Sequence, residues 1–166
     1  MNRLDIINIL SAHESASVEA KSAKGGFPDS FWESYSAFAN TNGGAKKGGV
    51  ILLGVNERKD HSFVVEGLPD AIKLEKDFWN MVNNRQKVNR NIMTNHMVYI
   101  EHLEGKDILV VEVPRADRSA RPVYKGMDPF SGTYRRYGEG DHLCSREAVG
   151  AMMRDASLVS ADAAVI

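Results

Sequence analysis

The sequence predicts a single domain of α/β class, with α+β also open, in which helices cover a mixed β-sheet. Three observations lead to this prediction. Helix-period and strand-period patterns alternate along the chain, residues 49–55 are almost uninterrupted apolar sequence, and residues 97–113 carry a β-hairpin signal. A strand that is apolar on both faces is typical of the centre of a covered sheet.

The first half of the chain contains two helix patterns and two strand patterns. A helix is predicted at residues 2–10, whose apolar side at helical spacing consists of Leu4, Ile7 and Leu10. Residues 17–21 alternate as a short strand. The Pro-Asp pair at 28–29 is typical of a helix start, and Phe31, Tyr35, Phe38 and Ala39 follow at helical spacing. This helix is expected to end at residues 40–44, where glycine permits the left-handed backbone that follows a last turn.

After the central strand, the pattern continues with a short strand at 63–65 and a second long helix at 69–82. The inward side chains predicted for this helix are Ile72, Phe78, Met81 and Val82. Residues 83–91 are polar and basic without apolar rhythm, which predicts a loop. The hairpin follows, with strands at 97–103 and 108–113 on either side of Glu-Gly-Lys-Asp.

Two more short strands are predicted near the C-terminus, at 123–125 and 133–137, before a final helix from Ser145 through Met153. We assign residues 1–156 to the domain and residues 157–166 to a flexible, Ala-rich tail.

The composition excludes several classes of protein. A net charge of −1 means that a basic surface for nucleic acid, if present, must be local. Cys144 is the only cysteine, which excludes an internal disulfide and a multi-cysteine zinc site. No apolar run approaches the length of a membrane helix or of a signal peptide core, so we expect a cytoplasmic protein without membrane contact.

Five segments in this order carry a resemblance to a known family. They are Glu14 with residues 18–21 (VEAK), residues 36–44 (SAFANTNGG), residues 50–57 (VILLGVNE), residues 121–124 (RPVY) and residues 134–138 (YRRYG). Together they resemble the Schlafen AlbA-like DNA-binding domain family, which is also described as a divergent AAA domain and occurs in bacterial transcriptional regulators. The resemblance spans about residues 10–155 and implies a cytoplasmic nucleic-acid-binding domain of a regulator.

The chain departs from the family pattern at two places. Residues 45–49 (AKKGG) stand between the Gly-Gly pair and the strand, and Asn56 replaces an aspartate, with a carboxylate at the next residue, Glu57. The insertion lengthens a turn in which Asn40, Gly43 and Gly44 would form the scaffold, together with Gly54 beyond the strand. Backbone N–H groups of such a turn could cradle an anion beside Lys46 and Lys47, or the turn could simply cap a helix. It is not a Walker A loop, because it follows a helix, precedes a strand and lacks Gly-Lys-Ser/Thr.

The cations of the C-terminal half suggest phosphate contacts. A basic set runs from Arg115 and Arg118 to Arg136, opposed mainly by Asp117 and Asp128. Tyrosines interleave with this set and could stack on bases if exposed. We predict that phosphate is contacted by Lys21, Lys46, Lys47, Arg121, Lys125, Arg135 and Arg136. The alternative is a solvated basic face with half-buried tyrosines.

Three carboxylates provide the alternative of catalysis. Glu14, Glu19 and Glu57 stand at positions that resemble the acidic trio of Schlafen ribonucleases. If they converge, they could bind Mg²⁺ or Mn²⁺ and activate water for RNA cleavage. Otherwise Glu19 only pairs with Lys21 on the same face of a strand. We predict no other cofactor.

We therefore predict a nucleic-acid-binding module rather than an enzyme, with DNA preferred over RNA as the partner. Two alternatives remain open: a metal-dependent RNA endonuclease, and an assembly module that binds a nucleotide or a protein. A homodimer is also left open.

Overall fold

The structure is a computed structural model and describes residues 3–11, 17–41 and 48–164. Its main sheet has four strands, which in spatial order are β1 (Val18–Lys21), β2 (Gly49–Leu53), β6 (Lys106–Val113) and β5 (Val98–Leu103). β1 runs parallel to β2, whereas β2 with β6 and β6 with β5 are antiparallel. The predicted mixed sheet, with its central apolar strand and its hairpin, is confirmed.

Two small antiparallel sheets and five helices complete the described part of the domain. β3 (Val55–Glu57) pairs with β4 (Phe63–Val65), and β7 (Tyr134–Tyr137) pairs with β8 (Gly140–Leu143). The helices are α1 (Arg3–Ser11), α2 (Phe31–Ala39), α3 (Ala71–Val82), α4 (Pro129–Gly132) and α5 (Arg146–Ala164). None of these helices combines the length and the apolar character that a bilayer crossing requires.

The central strand β2 contributes to a core on each face of the main sheet. Ile51 and Leu53 join the larger core, which the side chains of α2 and α3 complete. Val50 and Leu52 belong to the smaller core on the other face, together with Ile6 of α1. All five residues of β2 are buried. Because successive strand side chains point to opposite faces, this two-sided burial explains why the strand lacks polar alternation.

An aromatic cluster joins α2 to α3. The ring of Trp32 stacks on Phe78 with centroids 5.9 Å apart, and Phe31 meets Phe78 edge to face at 6.0 Å. Tyr35 and Phe38 are also fully buried. These contacts fix α2 against the sheet, as its aromatic stripe predicted.

Gly54 separates two strands that the sequence suggested were one. Its φ of +96° is in the region that favours glycine, and a Cβ there would lie 3.0 Å from Leu68 Cγ. Its N–H donates to Lys21 O at 2.8 Å, while its carbonyl accepts from the N–H groups of Glu66 and Gly67. The chain therefore leaves the main sheet after Leu53 and enters the separate β3–β4 pair.

Two predictions of inward-facing side chains are wrong. Ile72 of α3 is 75% exposed, and the buried positions are Ala71, Leu74, Phe78 and Val82. The six-residue step from Ile72 to Phe78 turns about 240° around a helix, so both cannot face one core. In α1, Ile6 is fully buried and Ile7 is 43% exposed; the side chains of Leu4 and Leu10 lie outside the described part.

Four parts of the chain differ from the expected secondary structure. β8 and α4 were not predicted, and residues 123–125 form isolated bridges to Val88 and Thr133 rather than a regular strand. α5 continues to Ala164, past the expected end at Met153. The domain boundary at residue 156 and the flexibility of the tail stay predictions.

Gly48, which the sequence placed in a flexible insertion, is closely packed. A Cβ at this position would lie 2.4 Å from Val113 O and 2.7 Å from Phe38 O, both rigid backbone atoms. We expect Gly48→Ala to lower the free energy of unfolding by about 1–3 kcal/mol, because the strand and the helix must separate. Gly25→Ala is the control, since a Cβ at Gly25 would meet nothing within 4 Å. Urea unfolding of both variants measures the difference; equal stabilities would contradict this account.

Candidate nucleic-acid interface

The end of α2 carries a buried polar cluster of Ser36 and Asn40, both with no exposed area. Asn40 Nδ2 donates to Val123 O at 2.8 Å and to Tyr134 O at 3.1 Å, while Asn40 Oδ1 accepts from Val123 N at 2.9 Å. Ser36 Oγ donates to Val123 O at 2.7 Å and accepts from Tyr134 N at 2.9 Å. Two side chains of one helix therefore hold both residues 121–125 and β7, which are distant in sequence.

Asn89 holds the same segment from its other side. Its Nδ2 donates to Pro122 O at 3.1 Å and its Oδ1 accepts from Tyr124 N at 2.7 Å. Asn89 N donates to Tyr124 O at 3.0 Å, and Gly126 N donates to Lys87 O at 2.8 Å. The peptide bond between Arg121 and Pro122 is cis. Residues 121–126 are thus fixed although they belong to no regular strand.

Arg136 is largely buried and bonded to two carboxylates. Its side chain is 4% exposed, and its Nη1 donates to Glu19 Oε2 at 2.7 Å and to Asp141 Oδ1 at 2.9 Å. Its Nη2 donates to Val18 O, and the guanidinium lies 5.0 Å from the centroid of the Phe38 ring. Burial acts to lower the pKa of this guanidinium, but the two carboxylates outweigh burial and raise it. Arg136 therefore ties β7 to β1 and is poorly placed to meet phosphate.

Two predicted phosphate ligands, Lys21 and Lys125, also have partners. Lys21 Nζ donates to Ser30 Oγ at 3.0 Å and lies 3.8 Å from Glu19 Oε1, and its side chain is 9% exposed. Lys125 Nζ donates to Glu33 Oε2 at 2.9 Å. The ion pair between Glu19 and Lys21, which the sequence analysis gave as the alternative to catalysis, is present. Phosphate would have to compete with these carboxylates for both lysines.

Arg115, Arg121 and Arg135 form a group that we call the arginine cluster. The Arg121 Nε donates to Ala116 O at 3.0 Å, and the Arg135 Nε donates to Asn40 O at 3.3 Å. The pKa of Arg121 is lowered by burial and then by the positive charges of Arg115 and Arg135. Like charges brought this close repel one another, and a bound anion would relieve that repulsion.

The neighbouring Arg118 is held by α5. Its guanidinium makes two hydrogen bonds to the carboxylate of Asp155, one of them from Nε to Oδ2 at 3.0 Å. This bond raises the pKa of Arg118 and lowers that of Asp155.

The two described members of the predicted carboxylate trio, Glu19 and Glu57, have different partners. Glu19 accepts a hydrogen bond from Arg136. Glu57 Oε1 lies at hydrogen-bond distance, 2.8 Å, from His61 Nδ1. Among the residues that the structure describes, no group of three His, Cys, Asp or Glu side chains is arranged to bind a metal ion. Glu14 lies outside the described residues, so metal-dependent cleavage stays a prediction.

Other residues of the predicted turn lie outside the described part as well, namely Gly43, Gly44, Lys46 and Lys47. Of the tyrosines expected to stack on bases, Tyr137 is 59% exposed, while Tyr124 and Tyr134 are half-buried.

Asp141 and Asp155 are two of the partners that escaped the sequence analysis. Asp141 faces Arg136 directly across the β7–β8 pair, so predicting β8 would have identified it. Asp155 meets Arg118 from α5, across 37 positions of sequence, and no local pattern indicates that contact.

The Asn40 hydrogen bonds give a stability prediction. We expect Asn40→Ala to lower the free energy of unfolding by about 2–4 kcal/mol, because Val123 N and Tyr134 O lose buried partners. Asn80→Ala, at an exposed position of α3, should change it by less than about 0.5 kcal/mol. Denaturant unfolding compares the two; similar losses would show that the Asn40 side chain does not hold the segment.

Comparison with known proteins identifies the family of this chain. The model of the family described as Schlafen, AlbA_2 matches residues 14–145. A solution NMR structure of the N-terminal domain of an ATP-dependent DNA helicase RecG-related protein from Nitrosomonas europaea is 34% identical, with a TM-score of 0.59, over 85% of this chain and 90% of that one. The DIP2311 protein from Corynebacterium diphtheriae shares the fold at 18% identity and a TM-score of 0.56, over 91% of this chain and 28% of that one. No curated protein matches. The chain belongs to the Schlafen AlbA_2 family.

Proposed function

We propose that this domain binds nucleic acid, DNA in preference to RNA, and that the arginine cluster contacts its phosphates. The observation that carries the proposal is that Arg121 and Arg135 are held by the carbonyls of Ala116 and Asn40. There the charges of Arg115 and Arg135 add to burial, the larger cause, in lowering the pKa of Arg121. Guanidinium groups form strong, often bidentate hydrogen bonds with phosphate. In a chain with a net charge of −1, such a cluster is a local basic site rather than part of a general field.

The comparisons support the same proposal. The chain belongs to the Schlafen AlbA_2 family, and a neighbour that is 34% identical is the N-terminal domain of a protein related to a DNA helicase. We infer a domain that brings a larger protein, such as a bacterial transcriptional regulator, to DNA.

We assign the predicted cations to two proposed roles. Arg121 and Arg135 are proposed to contact phosphate, joined by Arg115. Lys21, Lys125 and Arg136 have carboxylate neighbours, and we propose that they mainly hold β1, α2 and β7 in place. Lys46 and Lys47 precede Gly48, which packs against Pro114, the neighbour of Arg115. We include both lysines in the proposed surface on this connectivity.

Salt dependence of binding tests the arginine cluster. With a probe of about 20 nucleotides, the logarithm of the binding constant should fall linearly with the logarithm of salt concentration, because phosphate contacts release counterions. We expect Arg121→Gln with Arg135→Gln to reduce the magnitude of that slope by about 1.4 on single strands and about 1.8 on duplex DNA. Fluorescence anisotropy with DNA and RNA probes of one sequence measures this slope and the preference for DNA.

Two control variants accompany this measurement. Arg121→Lys with Arg135→Lys keeps both charges and should keep most of the slope. Lys73→Gln with Lys76→Gln removes the same charge from α3 and should leave the slope near the wild-type value. Thermal unfolding checks that each variant is folded. If the wild-type protein binds no probe at low salt, or if its affinity does not depend on salt, the proposed function is wrong.

A further inference from the structure

The loop after α3, residues 83–91, presents a second group of cations, which we call the basic loop. Arg85, Lys87 and Arg90 are all exposed. The sequence between Asp77 and Glu101 contains no acidic residue. Throughout the described part of the chain, no carboxylate forms an ion pair with any of these three side chains. Surface cations usually have acids interspersed among them, so this stretch is electrostatically unbalanced.

Hydrogen bonds hold the backbone of the basic loop. Asn84 O accepts from Lys87 N at 2.9 Å and from Val88 N at 3.2 Å, and Val88 is 1% exposed. Tyr35 Oη donates to Arg90 O at 3.0 Å, from the core side of the loop. The cations therefore project from a fixed backbone, and a ligand would not need to order it.

The surface between the end of α3 and the basic loop is concave. A cleft of about 360 Å³ lies between the end of α3 and the loop. The polar side chains at its wall are Arg85 and Arg90, with the amides of Asn83, Asn89 and Asn91. The three amides already donate within the protein, to Trp79 O, Pro122 O and Asn83 Oδ1. The guanidinium groups of Arg85 and Arg90 are therefore the donors that this cleft offers to phosphate and sugar oxygens.

The fixed segment 121–126 connects the basic loop to the arginine cluster. It begins at Arg121, and its last residue, Gly126, donates its N–H to Lys87 O. The five residue steps from Arg121 to Gly126 span at most about 18 Å even when fully extended. The arginine cluster and the basic loop are therefore anchored within about that distance of each other. A nucleic-acid strand that rises about 3.4 Å per nucleotide covers that distance in five or six nucleotides.

We propose that the basic loop is a second phosphate-binding site, which contacts the same nucleic-acid molecule as the arginine cluster several nucleotides away. This inference rests on the proposed function and extends the interface to a loop that the family resemblance did not include. Arg85 and Arg90 bind backbone phosphates at the cleft, and Lys87 adds charge at the junction with segment 121–126. The contacts are to the backbone, so they add affinity without base specificity.

The test compares Arg85→Gln with Arg90→Gln against the wild-type protein, on a duplex DNA of about 20 base pairs and its single strand. We expect the salt slope to decrease in magnitude by about 1.8 on the duplex or about 1.4 on the single strand. At about 50 mM salt we expect binding at least fivefold weaker. The matched control, Lys73→Gln with Lys76→Gln, makes the same change in net charge in the first half of α3 and should keep the wild-type slope. Arg85→Lys with Arg90→Lys keeps the charge and should restore most of the affinity.

The outcomes separate the two proposals. If the Arg85/Arg90 glutamine variant binds like the Lys73/Lys76 control while loss of Arg121 and Arg135 weakens binding, the second site is wrong and the proposed function stands. If the wild-type protein binds neither probe, both are overturned. All four substituted side chains of the test and control variants are exposed, and a thermal midpoint within about 2 °C of wild type verifies folding.

Discussion

The hydrogen bonds of Ser36 and Asn40 are the interaction on which the rest of the interface depends. Both side chains are fully buried, so each of their polar atoms must find a partner inside the protein. They find those partners on Val123 and Tyr134, in two segments that follow α2 by more than eighty positions. Neither segment pairs with a strand of the main sheet. The end of α2 therefore positions both of these C-terminal segments.

The arginine cluster follows from this assembly. Arg121 lies two residues before Val123, and Arg135 follows Tyr134, so both flank backbone groups that Asn40 holds. Arg135 also donates to the carbonyl of Asn40 itself. Because these bonds fix the backbone, the repulsion between the guanidinium groups cannot be relieved by moving the segments apart. A bound anion would weaken this repulsion, because its negative charge would offset part of the positive charge.

A second polar network, around Arg136, joins β7 to β1 and β8. Burying a guanidinium is costly unless carboxylates and hydrogen bonds compensate it, and Arg136 receives Glu19, Asp141 and the carbonyl of Val18. Its neighbour in sequence, Arg135, has its Nε on a carbonyl oxygen instead. Alternation along β7 sends the two side chains to opposite faces. Two adjacent arginines thus have different partners for a geometric reason.

The sequence by itself determined the fold class, the two-sided burial of β2, the β5–β6 hairpin and the family, because these depend on local periodicity and on short motifs. It misplaced Ile72 because the apolar residues of α3 permit more than one helical phase, and packing against the sheet selects one. Only the tertiary structure decided which cations are paired, since the partners of Arg136 lie on β1 and β8 and that of Arg118 lies on α5. The steric role of Gly48 was equally hidden, because a glycine that admits a neighbouring carbonyl has the same sequence signature as one in a loop. The charges and the apolar periodicity can be read directly from the sequence. Whether a cationic side chain is paired with a carboxylate or left to contact phosphate depends on which distant segment the fold brings beside it.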